Sequence, residues 1–159
     1  MLLPSAASAK GLDVALLGIP YDGGTSYRTG ARFGPRAVRE QSSLIRPWNP
    51  VLKVHPFERL RIADCGDVDT VPISIERTLA AIDARVSAVI AEGAMPVCVG
   101  GDHSVTLGIL RALARRHGRL AWCTSTRIRT RGMNTSARST STGRRFAEPS
   151  RKGSSTPDG

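Results

Sequence analysis

The chain is short of aromatics, short of cysteines and without a long apolar run, and each shortage removes a class of protein. Aromatic residues make up 4% of the 159. Only Trp122 and Phe146 fall in the last stretch, too few to alternate with its arginines as a base-stacking surface would require. The three cysteines, Cys65, Cys98 and Cys123, form no C-x-x-C pair. Cys65 and Cys98 sit in apolar, strand-like runs, so buried free thiols in a reducing cytosol are expected. No apolar run approaches membrane-spanning length, and Met1-Leu2-Leu3-Pro4 is too short for the apolar stretch of a secretion signal. A cytoplasmic protein with no membrane partner is expected. There is no internal repeat, no G-x-G-x-x-G and no P-loop ending, so a nucleotide-phosphate cradle is a poor reading.

The net charge of +10 is unevenly held. Residues 1–121 carry 15 Lys/Arg against 11 Asp/Glu, and residues 122–159 carry 8 against 2. The last stretch also holds 14 Ser/Thr and few large apolar residues. It cannot bury enough surface to offset its ordering entropy. The expected organisation is one folded part, 1–121, and a basic, disordered tail, 122–159. A solvated tail without a nucleic-acid partner is the reading adopted. A basic arm for nucleic acid is the alternative.

Within 1–121 the apolar pattern alternates between strand and helix. Val14 to Ile19 is a continuous apolar run, as in a strand covered on both faces. A Gly-rich loop, Tyr21 to Phe33, leads to a helix with Pro35 at its first position, running to about Leu44. Leu60 to Asp64 reads as a second strand, with a turn over 66–69. Ser74 is a plausible cap for a helix whose stripe is Ile75, Leu79, Ile82, Val86, Val89 and Ile90, closed by Gly93. Val97 to Val99 is a third strand. The helix from Val105 to His117 is expected to bury Leu107, Leu110, Leu113 and Ala114, with Arg111, Arg115 and Arg116 opposite. Leu120-Ala121-Trp122 would begin a fourth strand. This order predicts an α/β domain with a mostly parallel sheet.

Gly100-Gly101-Asp102-His103-Ser104 stands between the third strand and its helix. The carboxyl end of a buried parallel strand is where such sheets build their sites. His103 is there either a metal ligand or a histidine satisfied at a tight turn. His55 and His117 read as exposed, His117 in a helix's last turn. The 21–33 loop is long for its kind, and its Arg28 and Arg32 either bind carboxylates or pair with Asp22.

Together, Gly18-Ile19-Pro20-Tyr21-Asp22-Gly23-Gly24-Thr25-Ser26, Gly30-Ala31-Arg32-Phe33-Gly34-Pro35-Arg36-Ala37, Gly66-Asp67-Val68 and Gly100-Gly101-Asp102-His103-Ser104 resemble the ureohydrolase (arginase/agmatinase) family. Agmatinases and related guanidino-acid hydrolases are the nearer branch. The resemblance runs from about Val14 to Ala121. It implies a three-layer α/β/α arginase-like fold, of which this would be the amino-terminal part. It implies hydrolysis of a guanidino compound to urea and an amine. In that chemistry two manganese ions (Mn2+) share a water and lower its pKa. His103 matches one metal ligand, and intact relatives would be homo-oligomers. The family's Asp-x-His-x-Asp and Asp-x-Asp ligand motifs do not occur in this chain, so the chain as it stands is expected to be inactive, with no properly formed manganese site.

The missing motif has a specific explanation. From Trp122 onward, a reading frame one base earlier is compatible with Val-Val-His-Leu-Asp-Ala-His-Thr-Asp-Thr-Trp. That is an apolar strand ending in Asp-x-His-x-Asp at the spacing the family uses. Residues 122–159 are therefore expected to be a frameshift product. The competing function is a non-catalytic α/β binding protein whose basic tail takes nucleic acid or acidic partners.

Overall fold

The computed structural model describes residues 3–123 and Ser125. Met1–Leu120 form one compact unit, and it holds all the regular elements among the described residues. These are β1 (Val14–Ile19), α1 (Gly34–Ser42), α2 (Pro56–Arg59), β2 (Ile62–Asp67), α3 (Ile75–Ala91), β3 (Met95–Gly100) and α4 (Thr106–His117). Single 3-10 turns, Ala31–Phe33 and His103–Val105, precede α1 and α4. The expected disorder of the tail falls almost wholly on residues outside the described ones.

The three strands are parallel, in the order β2-β1-β3. The central strand, β1, is buried at five of its six positions, which is why its sequence is apolar without alternation. Its odd positions, Ala15, Leu17 and Ile19, share a core with Cys65 of β2 and with Leu79, Ile82, Val86 and Val89 of α3. Its other face meets α1: a Cβ at Gly18 would lie 2.9 Å from Cβ of Pro35. Helices thus cover both faces, as right-handed crossovers from β1 to β2 and from β2 back past β1 require. The result is an incomplete three-layer α/β/α unit.

α3 follows its sequence pattern closely. Oγ of Ser74 accepts from the backbone N–H of Arg77 at 3.3 Å, capping the first turn. Gly93, at φ 88°, takes the left-handed position after the last turn. Ion pairs tie the elements together. Arg39 of α1 reaches Asp64 at 2.5 Å and Asp67 at 2.6 Å on β2. Arg115 of α4 reaches Asp83 of α3 at 2.6 Å. Before β1, the backbone of Pro4 and Ala6 pairs with Asp64 along the outer edge of β2.

Several expectations need correction. α4 does not bury the Leu107, Leu110, Leu113 and Ala114 face. Its buried residues are Gly108 and Ala112, while Leu107 is 47% exposed and Ala114 is exposed. The helix packs chiefly on α3, and only small side chains permit that approach. A Cβ at Gly108 would lie 2.8 Å from Cγ2 of Ile82. α1 ends at Ser42 rather than Leu44, and β2 runs on to Asp67 because Gly66 takes φ 80° and continues the chain alongside Gly18. The short α2 gave no periodic signal. Leu120-Ala121-Trp122 forms no strand and joins neither edge of the described sheet. His55 is half-buried rather than exposed: it packs edge-on to Phe57, with ring centroids 6.1 Å apart.

Candidate functional site

The carboxyl ends of β1 and β3 lie side by side, with Ile19 paired to Gly100. The loops that leave them touch at once. Asp102 donates its backbone N–H to the carbonyl of Tyr21 at 2.9 Å. Gly101 sits so close to that carbonyl that a Cβ there would lie 1.9 Å from the oxygen, so the motif's second glycine is a steric requirement. The loop after β2 joins them, Val68 donating to the carbonyl of Gly18 at 2.8 Å. Three strand-end motifs that are distant in sequence therefore meet at one edge of the sheet, where open α/β sheets place their sites.

Asp22 organises the long loop after β1. Its side chain is fully buried. It accepts from the backbone N–H groups of Gly30 and Arg32 at 2.7 and 3.3 Å, and from Nε of Arg32 at 2.7 Å. These bonds, the Arg32 side chain foremost, hold its carboxyl down at about 2. Of the two roles open to Arg32, pairing with Asp22 is the one the structure adopts. Arg28 does something else: at φ 54° it lays its guanidinium over the Tyr27 ring, 5.3 Å from the centroid.

Asp102 caps the turn that carries His103. Its Oδ1 accepts from the backbone N–H of Ser104 at 2.8 Å and from its hydroxyl at 2.5 Å, and its Oδ2 accepts from the backbone N–H of Gly24 at 2.7 Å. His103 follows directly and is exposed at the strand end. Sequence reasoning singled out His103 and offered the Asp22–Arg32 pair as one alternative, but missed the bonds of Asp22 to the loop backbone and what Asp102 does. An Asp two residues before a helical N–H is a capping signal, and that half of the role of Asp102 could have been read.

An open cavity of about 470 Å³ lies beside the end of β2, lined by Asp67, Val68, Asp69, Ala84 and Arg85 among others. His103 is not part of it. Among the described residues no three His, Cys, Asp or Glu side chains gather as a metal cluster. The described donor set does not fit a pair of manganese ions: His103 offers one imidazole, and the carboxylates beside it are engaged with backbone and arginine. Hard divalent ions need several oxygen ligands. Nor, among the described residues, is any helix long and apolar enough to cross a membrane.

Known proteins place this arrangement. The model of the Arginase family matches residues 12–123. The mitochondrial guanidino acid hydrolase of Homo sapiens is 42% identical over 118 residues, which are 74% of this chain and 34% of that protein. The guanidinopropionase of Pseudomonas aeruginosa is 45% identical over 115 residues, 72% of this chain and 36% of that protein. In three dimensions, proclavaminate amidino hydrolase from Streptomyces clavuligerus superposes with a TM-score of 0.71 at 38% identity, covering 75% of this chain and 40% of that one. A Trypanosoma cruzi formiminoglutamase solved with Mn2+ superposes at 0.63 with 28% identity, covering 71% and 38%. The chain spans about a third of the length of the curated relatives it matches. With the family match over more than half its residues and its strand-end motifs meeting at one edge of an α/β sheet, the chain belongs to the arginase family.

Proposed function

We propose that this chain carries the amino-terminal third of an agmatinase-like ureohydrolase, a manganese-dependent enzyme that hydrolyses a guanidino compound to urea and an amine. The observation that carries the reading is the likeness to guanidino hydrolases at 40% identity or better, over a region whose motif puts His103 at the carboxyl end of β3. His103 is the residue assigned to a metal, as one ligand of the set. The remaining ligands are assigned to sequence that the other reading frame encodes after Ala121, so the chain in its present form is inactive. No step of the reaction is assigned to the described residues. They build the scaffold and present the histidine.

The test has two arms. The chain as it stands should release no urea from agmatine, guanidinobutyrate or guanidinopropionate with Mn2+ present. Calorimetry should find no stoichiometric micromolar manganese site. A gene carrying the earlier frame from codon 122, with the sequence that follows it, should give metal-dependent urea release, lost in His103→Ala. A restored protein inactive on every guanidino compound would overturn the reading, as would a frame closed by stop codons.

A further inference from the structure

We propose that Asp102 is a positioning residue, the joint that locks the loops after β1 and β3 together and thereby fixes His103. That His103 is the group being positioned rests on the function proposed above. The joint itself rests on geometry alone.

Both carboxylate oxygens of Asp102 have a job, and the jobs differ. Oδ1 takes the N–H and hydroxyl of Ser104, at 2.8 and 2.5 Å, and so sets the 3-10 turn His103–Val105. Oδ2 takes the N–H of Gly24 at 2.7 Å, across 78 residues of sequence. The backbone N–H of the same residue holds Tyr21 at 2.9 Å. Two glycines exist to allow these contacts. A Cβ at Gly24 would lie 2.9 Å from Oδ2, and one at Gly101 would lie 1.9 Å from the Tyr21 carbonyl oxygen. A carboxylate accepts at about four lone-pair positions, and three are committed to holding loops. Asp102 therefore acts through its neighbour. The backbone on either side of His103 is thereby tied to the loop that Asp22 organises.

The two jobs can be separated by chemistry. In Asp102→Asn the remaining oxygen can still cap Ser104, while the new amide group faces Gly24 donor to donor. In Asp102→Ala both jobs are lost. Amide exchange on the full chain reads them independently. The Asn variant should speed exchange at Gly24 by about tenfold or more and leave Ser104 protected. The Ala variant should expose both, and His103→Ala should expose neither. Exchange at Leu17 and Ile82 should hold in all three. A second readout is the His103 ring signal by NMR, which should move toward that of a freely rotating imidazole partway in the Asn variant, where only the joint to Gly24 is lost, and furthest in the Ala variant. Unchanged exchange at Gly24 in Asp102→Asn would overturn the proposal. So would an unmoved His103 ring in Asp102→Ala, or loss of protection at Leu17 and Ile82 along with Gly24, which would make Asp102 a general folding residue. No metal or substrate enters the measurement, so failure of the guanidino reading leaves its outcome intact.

Discussion

Nε of Arg32 donates to Oδ1 of the buried Asp22 at 2.7 Å, and Nη2 of the same arginine lies 2.5 Å from that oxygen. The pair closes the loop between β1 and α1 on itself, ten residues apart in sequence. It also makes the loop sensitive to acid. The folded carboxyl titrates at about 2 against an ordinary 3.8, so the group favours folding fully above that ordinary value. The contribution is lost as pH falls from there through about 2. Asp13, held down in the same way by Arg61, adds a second contribution over the same range. Denaturation midpoints taken from pH 6 downward should fall through this window. Asp22→Asn should flatten the fall without abolishing it. A variant with the full wild-type slope would show that the pair does not titrate with folding.

The packing of α4 on α3 predicts an intolerant glycine. Gly108→Val would drive a side chain into Ile82, whose Cγ2 is already 2.8 Å from the position of a Cβ, and toward the Leu79 carbonyl oxygen at 3.0 Å. Overpacking of this kind costs about 1–3 kcal/mol. Ile82→Ala, at a fully buried position, should cost about 2–5 kcal/mol through its cavity. Chemical denaturation measures both. A neutral Gly108→Val would mean the two helices are free to part.

The thiols should separate by rate. Burial pushes the Cys98 thiol up to about 11 and raises that of Cys65 as well, whereas Cys123 is exposed. Thiolate is the reacting form. A thiol-specific reagent near pH 8 should label Cys123 quickly and the other two only as the fold opens. Mass mapping of the modified cysteines checks the order, and early labelling of Cys98 would contradict the packing around β3.

The outer edge of β3 pairs with no described strand. On that strand Met95 is 60% exposed and Val97 43% exposed. An apolar open edge is a template for association. Light scattering should rise with protein concentration, and Val97→Lys should suppress the rise. Scattering that is equally strong in Val97→Lys would move the sticky surface elsewhere, for example to the exposed Leu44, Val51 and Leu52.

Much of the architecture was legible in the residues because the signals are local. The unbroken apolar run of β1, the stripe of α3 from Ile75 to Ile90, the cap at Ser74 and the closing Gly93 each follow from spacing within one element. So does the position of His103 at a strand end, since a strand, a tight Gly-Gly turn and a helix fix it together. Where a helix has two apolar faces, spacing alone cannot choose between them. α4 carries a leucine face and a small-residue face, and the closeness of α3 selected Gly108 and Ala112 for burial. The same limit applies at the site. That Arg32 turns inward to Asp22 depends on how the loop after β1 folds back on itself, and that Asp102 reaches Gly24 depends on parallel strands setting distant loops a hydrogen bond apart. That pairing exists only once β1 and β3 lie side by side, so the sequence determined which residues stand at the strand ends, and the tertiary structure decided which of them hold one another.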